Sequence, residues 1–348
     1  MSKEESDPRT RLTTLLNQPM TVGGKPVANR LWLAPMAALT HMAYRRVLDE
    51  YGGCGLMYTE MCSARAVPSE NRHASPVFAW RDEELPNLVC QIAGGDPDDM
   101  AEAARRVEDE GFFGVDVNMG CSVSGVVKKG AGAALLKEPE RALAVAEAVR
   151  GAVSIPLLVK FRTGWAPEVE PAVAISKQFE SAGVDALIFH PRVAPDKRTR
   201  PPRMEHIGAV AEAVNIPVVG NGDVVTPHDC LNMLETTGCA GVAVGRMAMA
   251  RPWLFSEWTQ GRTYGPDVYR ECAVALVEAL DQQFDPVRAL KGFKFFSVYF
   301  AANFTFGHNL LSKFLACKSM EDARQAVRAH VRPGMQLAKR PNMNLYNT

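Results

Sequence analysis

The stretch Val115-Asp116-Val117-Asn118-Met119-Gly120-Cys121 decides the fold. It is an apolar, β-branched run that closes on an amide, a glycine and a thiol, as expected of a buried strand whose C-terminal end carries chemistry. Six further runs share the plan: Leu33-Ala34-Pro35-Met36-Ala37, Val89-Cys90-Gln91-Ile92-Ala93-Gly94, Leu157-Leu158-Val159-Lys160-Phe161-Arg162, Leu187-Ile188-Phe189-His190, Val218-Val219-Gly220-Asn221-Gly222-Asp223 and Val242-Ala243-Val244-Gly245-Arg246. In a parallel α/β barrel the C-terminal strand ends converge on one mouth. Gln91, Asn118, Cys121, Lys160, Arg162, His190, Asn221 and Arg246 are therefore expected to share a pocket although they span most of the chain.

Outward from these runs, strands are expected near 31–36, 55–60, 87–93, 113–118, 156–161, 185–190, 216–220 and 240–244. Helical stretches separate most of them. Asp98 to Glu110 ends at Gly111, Pro139 to Arg150 stops at Gly151, Val169 to Ala182 ends at Gly183, and Pro227 to Thr237 ends at Gly238; proline at the start and glycine past the end are helix punctuation. The fold class is α/β, a (β/α)8 TIM barrel followed by a small all-helical C-terminal domain. An open doubly wound sheet is the alternative, but no early G-x-G-x-x-G supports it. Beyond Trp253 the pattern changes. No convincing strand occurs between about 266 and 339, and Arg270 to Phe284, Val287 to Phe300 and Met320 to His330 read as amphipathic helices. The expected division is 1–257 for the barrel and 258–348 for the helical domain. Lys291, Lys294, Lys313 and Lys318 lie among Phe295, Tyr299, Phe304 and Phe306. That interleaving suits an RNA-facing surface, and equally an amphipathic bundle with solvated lysines.

The 348 residues exceed one barrel of about 250, and 47% of them are hydrophobic, enough for a large core. Lys plus Arg and Asp plus Glu both number 39, for a formal net charge of zero. Such a balance argues against coating nucleic acid through charge alone, but leaves room for a local basic groove. The eight cysteines form no CxxC pair and no Cys/His spacing of a zinc site, so no metal is expected. Met1 to Arg11 is polar and charged, without a signal-peptide core. No run of ~20 apolar residues offers a membrane span. A cytoplasmic monomer is expected.

The pair Gly220-Asn221-Gly222-Asp223 and Gly245-Arg246 follows the seventh and eighth strands. Glycines there let backbone N–H groups approach a phosphate, and Arg246 adds a charged fork. The alternative is two tight turns with a structural arginine. Lys160, at the end of the fifth strand, faces the mouth; it can stabilise negative charge on a reduced flavin ring, form a Schiff base, or pair internally with Asp116 or Glu60. His190 can donate to a phosphate or a ring carbonyl, or be structural. Cys121 precedes a glycine-rich loop, Gly125 to Gly132, that contains Lys128 and Lys129; on a mobile loop it can act as nucleophile or as proton donor.

Taken in order, these stretches resemble the flavin-dependent tRNA-dihydrouridine synthases. The resemblance is carried by Ala34-Pro35-Met36-Ala37, Gln91-Ile92-Ala93-Gly94, Asn118-Met119-Gly120-Cys121 with Gly130-Ala131-Gly132-Ala133-Ala134-Leu135-Leu136, Val159-Lys160-Phe161-Arg162-Thr163-Gly164-Trp165, Gly220-Asn221-Gly222-Asp223, and Thr237-Gly238-Cys239-Ala240-Gly241-Val242 leading to Gly245-Arg246 and Pro252-Trp253-Leu254-Phe255. It covers about residues 30 to 330. It implies FMN at the barrel mouth, with Pro35, Met36 and Ala37 backing the ring and Gln91, Lys160 and His190 at its polar edge. Asn221, Gly222, Asp223, Gly245 and Arg246 would hold the phosphate. Asn118, Arg162, Lys128 and Arg198 would contact substrate, and Cys121 matches the general acid. NADPH as reductant and tRNA as partner are implied likewise: hydride to C6 of uridine, proton from Cys121 to C5, on a base unstacked into the barrel.

Two segments depart from the family pattern, both on the substrate side of the pocket. Ser122-Val123-Ser124-Gly125 stands where the family usually has Pro and then a basic residue. His190-Pro191-Arg192-Val193, running on to Arg200, stands where His-Gly-Arg-Thr is usual. The Lys197-Arg198-Arg200-Arg203 cluster either restores phosphate contacts or is a solvated basic loop. Two other functions share these residues: an FMN-dependent ene-reductase or dehydrogenase acting on a small molecule or another RNA, and an RNA-binding protein without turnover.

Overall fold

Helix α1 (Pro8–Leu16), capped by the Asp7 carboxylate, leads into a hairpin of β1 (Met20–Val22) and β2 (Lys25–Val27) and then into the first barrel strand, β3 (Leu31–Leu33). The computed structural model describes residues 7–196 and 200–341. After β3 come α2 (Met42–Tyr51), the short strands β4 (Met57–Tyr58) and β5 (Cys62–Ser63), β6 (Leu88–Ala93), α3 (Pro97–Asp109) and β7 (Gly114–Met119). The chain continues through α4 (Ser124–Val127), α5 (Pro139–Ala152), β8 (Leu157–Gly164), α6 (Glu170–Ser181), β9 (Ala186–Val193), α7 (Met204–Ala213), β10 (Val218–Asn221), α8 (Pro227–Thr237) and β11 (Gly241–Val244).

The sheet order is β3-β11-β10-β9-β8-β7-β6-β4, with β5 also on β6, and each of these pairings is parallel. Leu33 N–H donates to Leu56 O at 2.9 Å and Gly55 N–H to Leu31 O at 2.8 Å, which brings the first and second strands together and closes the ring. The second strand is broken between β4 and β5, at Thr59 to Met61, where the Glu60 carboxylate turns to accept from Ala38 N–H. The sequence leads one to expect a single strand there.

Alternation along each strand sorts side chains to two faces. Trp32, Tyr58, Val89, Leu158, Ile188, Val219 and Ala243 pack together inside, and Met20, Val22 and Val27 of the hairpin join them. The larger cluster, including Leu33, Cys90, Val117, Val159, Leu187 and Val242, lies between strands and helices. On β8 the interior face changes character along its length: Leu158 is buried and apolar, whereas Lys160 and Arg162 are half-buried and open to the mouth. The apolar layer closes the barrel below; the polar layer above it forms the site.

The helices expected over 98–110, 139–150, 169–182 and 227–237 are α3, α5, α6 and α8. Helices α2 and α7 and the β1–β2 hairpin were not anticipated. Past β11 the chain is helical: α9 (Arg246–Ala250), α10 (Leu254–Gln260), α11 (Val268–Gln283), α12 (Pro286–Ala301), α13 (Gly307–Leu315) and α14 (Met320–His330). Helix α13 has no counterpart in the sequence reading. Helix α11 packs on α2, and α12 packs on α9. Asn303 ties the units together, donating to Ala250 O at 2.8 Å and accepting from Arg251 Nε at 2.7 Å. Among the described residues no helix is long and apolar enough to cross a membrane.

Candidate active site

Strand register brings the polar residues of the mouth together in pairs. Gln91 lies opposite Asp116, Asn118 opposite Lys160, and Arg162 opposite His190. Above them opens a cavity of about 230 Å³. Pro35, Met36, Lys160, Arg162, His190, Asn221, Gly222, Asp223, Gly245 and Arg246 all line it. Two residues that the sequence reading assigned no role there also line it: Arg192, and Tyr299 from α12. Arg192 sits two residues after His190 on β9 and so shares its face, a signal the alternation carried. Tyr299 could not be placed without the tertiary structure.

Burial sets the ionisation of these groups. Lys160 is pushed below the usual lysine range, chiefly by desolvation, with Asp116 opposing the shift. Asp116 is pushed up by its own burial. Desolvation also lowers Arg162. Asn118, whose side chain holds the Cys121 N–H, lies opposite Lys160 in the register, which sets the thiol on the strand end next to these cations. His190 is held well below its ordinary value by burial and then by Lys160, Arg162 and Arg192, so its imidazole is neutral at pH 7. Its Nδ1 lies 2.9 Å from Asn221 O. A carbonyl only accepts, so Nδ1 carries the proton and Nε2 accepts from Arg192 Nη1 at 3.4 Å.

At the far end, Asp223 is clasped between two arginines. Its Oδ2 accepts from Arg192 Nη2 at 2.6 Å and its Oδ1 from Arg246 Nη2 at 2.5 Å. Asp223 has φ of 50°, in the left-handed region, next to Gly222 at 150°. The turn thus holds its carboxylate against the arginine forks rather than toward solvent. Both arginines line the cavity.

Cys121 is half-buried, and the segment after it is more ordered than a glycine-rich loop suggests. Asn118 Oδ1 accepts from Gly120 N–H at 3.1 Å and Cys121 N–H at 2.9 Å, and Cys121 O accepts from Ala133 N–H at 2.8 Å. Ser124 to Val127 forms α4, and Gly132 to Lys137 a 3-10 helix. The glycine-rich segment is thus largely helical, and the Asn118 side chain on one flank and the Ala133 N–H on the other hold the backbone of Cys121. Lys128, at the C-terminal end of α4, is exposed. Gln91 and Asn118 are buried beside the mouth rather than on the cavity wall, with their amides bonded to Asp116, to each other and to the loop. Ala37 lies at the turn before the left-handed Ala38.

The basic cluster of the β9–α7 connection resolves differently. Lys197 and Arg198 lie outside the described residues. Arg200 and Arg203 both pair with the fully buried Asp196 carboxylate, at 2.9 and 2.8 Å, so their charge is partly neutralised locally. In the C-terminal helices the aromatics divide. Tyr299 and Phe304 are buried, as in the amphipathic-bundle alternative, whereas Phe295 and Phe306 are exposed. Phe295 lines a groove of about 550 Å³ with Val287, Leu315, Lys291, Lys294 and Lys318. Among the described residues no group of three or more His, Cys, Asp or Glu is placed to hold a metal.

A family model described as dihydrouridine synthase (Dus) matches residues 32–300. The chain is 37% identical over 236 residues to tRNA-dihydrouridine synthase B of Pseudomonas aeruginosa, covering 68% of this chain and 70% of the relative. It is 37% identical over 238 residues to the Escherichia coli K12 protein of the same name, covering 68% and 74%. Against the Pectobacterium carotovorum protein the identity is 35% over 280 residues, covering 79% and 86%. Among solved structures, a 2-naphthoyl-CoA reductase in complex with 2-naphthoyl-CoA superimposes with a TM-score of 0.55 at 14% identity, over 72% of this chain. The chain spans about half of that protein's length, 53%. At that identity the likeness speaks for the fold.

Proposed function

The chain belongs to the dihydrouridine synthase family, and from that premise we propose that it is an FMN-dependent, NADPH-driven tRNA-dihydrouridine synthase acting in the cytoplasm. The observation that carries the proposal is a cavity at the strand ends lined by Lys160, Arg162, His190 and Arg246, with Cys121 on the neighbouring strand end, its N–H held by Asn118, the register partner of Lys160. The residues present fit a phosphate-bearing flavin. Two arginine forks and the Gly222 and Gly245 backbone offer an anion cradle. Gly222 has φ of 150°, a backbone conformation that L side chains rarely adopt, so glycine is what lets the chain turn here and present its N–H. The buried Nε of Arg162 has no hydrogen-bond partner among the described residues, leaving a donor for a ligand.

In this reading Pro35, Met36 and Ala37 back the ring and Lys160 and His190 meet its polar edge, while Gln91, buried with both ends of its amide bonded to Asp116 and Asn118, supports that edge from behind. Asn221, Gly222, Asp223, Gly245 and Arg246 hold the phosphate, with Arg192 added to that set. When bound, FMN supplies the hydride for C6 of uracil. Lys160 places a cation where negative charge would gather. Arg162 and the Asn118 segment orient the inserted base, with Lys128 and Arg198 toward the RNA backbone. Cys121 delivers the proton to C5 as a general acid. The apolar interior layer and Tyr299 exclude water. Residues 1–257 form the catalytic unit and 258–348 the RNA-binding unit, in a monomer.

The test is mass mapping of dihydrouridine in RNA from cells with and without the protein, together with the absorbance of the purified chain. Loss of dihydrouridine at defined tRNA positions and a yellow protein are expected. Unchanged RNA from the deletion strain, or a colourless protein that takes up no added FMN, would overturn the proposal.

A further inference from the structure

We propose that Asp116 is a positioning residue that sets the Cys121 segment through a directional relay of two amides; its bearing on proton delivery rests on the function proposed above. The backbone N–H groups of Gly120 and Cys121 can only donate, so Asn118 must present Oδ1 to them, at 3.1 and 2.9 Å. Its Nδ2 then faces Gln91 Oε1 at 2.8 Å. That turns Gln91 Nε2 toward Asp116 Oδ2, at 2.6 Å. Burial raises Asp116 to about 7, so the test is run well above that pH, where the ionised carboxylate only accepts. Both ends of the relay therefore demand the same polarity, and neither amide can turn over without setting two donors or two acceptors face to face. The three side chains are buried, with residue exposures of 0% for Asp116, 2% for Gln91 and 8% for Asn118, so water cannot repair a mismatch.

A purely electrostatic role, as counter-charge to Lys160, does not account for this arrangement. Register sets Lys160 beside Asn118, not Asp116. The second Asp116 oxygen, Oδ1, is buried without a hydrogen-bond partner among the described residues. A buried carboxylate with one orphan oxygen is costly to keep. An asparagine would bond Gln91 as well, but would accept either direction of the relay. The carboxylate admits one.

The test is hydrogen exchange at the Gly120 and Cys121 amides of the purified full-length protein, without RNA or NADPH. Asn118→Asp keeps an oxygen toward the loop but sets a second carboxylate oxygen against Gln91, while Asp116 blocks Gln91 from turning. Exchange at both amides should rise about tenfold or more, as expected for one buried hydrogen bond lost. Combining Asn118→Asp with Asp116→Asn conserves total charge and lets the relay run in reverse with every donor matched. Exchange should return to within about threefold of wild type. Asp116→Leu removes the acceptor that holds Gln91 and should raise exchange severalfold, an arm that survives if Asn118→Asp does not fold. Additive effects in the double variant, or wild-type exchange in Asp116→Leu, would overturn the relay. Since the readout needs no turnover, its failure is separable from failure to make dihydrouridine.

Discussion

At the scale of single residues, Cys121 and Arg246 have separable tasks. Cys121→Ala should retain FMN and oxidise NADPH yet lose dihydrouridine formation by ~10²–10⁴, the usual worth of a general acid; single-turnover assays on tRNA transcripts check it, and a wild-type rate would move the proton source elsewhere. Arg246→Ala removes one of two forks on Asp223. Loss of a charge-assisted contact of about 1.5–3 kcal/mol should weaken FMN binding by roughly 10- to 100-fold, measured by flavin fluorescence on dialysis. Both residues were legible as strand-end chemistry, because alternation and a shared strand terminus are local properties. Asp223 was legible as a turn residue, but not as the carboxylate clasped by two arginines. That clasp depends on Arg192 arriving from a strand about thirty positions away, and no local pattern encodes it.

At the scale of elements, the Cys121 segment and the start of α2 make distinct predictions. Gly132 has φ of 62°, and a Cβ there would fall 2.6 Å from Cys121 O. Gly132→Ala should therefore cost about 1–3 kcal/mol through backbone strain and displace the thiol, lowering dihydrouridine formation while FMN stays bound; unchanged stability and rate would contradict the packing described. His41 caps α2, accepting from Tyr44 N–H at its Nδ1, and packs edge-on against Phe284. Burial pushes it down to about 3 from 6.5. The unfolded chain thus binds this proton more readily than the folded one. The contribution to stability is complete above pH 6.5 and is lost as pH falls toward 3, at about 1.4 kcal/mol per unit. His41→Asn keeps a capping acceptor and should flatten the stability profile between pH 6.5 and 4.5, as followed by urea unfolding. Helix α3 and its successors were legible from proline and glycine punctuation. Helix α2 escaped because no proline opens it; its cap is a histidine, whose role emerges only from burial.

At the scale of the whole molecule, net charge is zero, so RNA affinity must come from local patches. Replacing Lys291, Lys294 and Lys318 along the groove by alanine should reduce the slope of log affinity against log salt for tRNA by about 1 to 3, without altering FMN content; an unchanged slope would remove this face from the RNA interface. Interleaved lysines and aromatics were readable in the sequence. What they could not reveal was which aromatics turn inward, since Tyr299 and Phe295 lie four positions apart on one helix, one buried and the other exposed. Tyr299 has a further meaning. It belongs to the helical tail yet forms part of the wall of the barrel's cavity, so filling the cavity and fastening the tail are one equilibrium. By mass action, a ligand at a hundred times its Kd adds about 2.7 kcal/mol to whatever state binds it, and here that state includes the docked tail. With the flavin proposed above as that ligand, the flavin-free protein should dock its tail less firmly, read as faster proteolysis across the α10–α11 connection, residues 261–267, than in the flavin-bound protein.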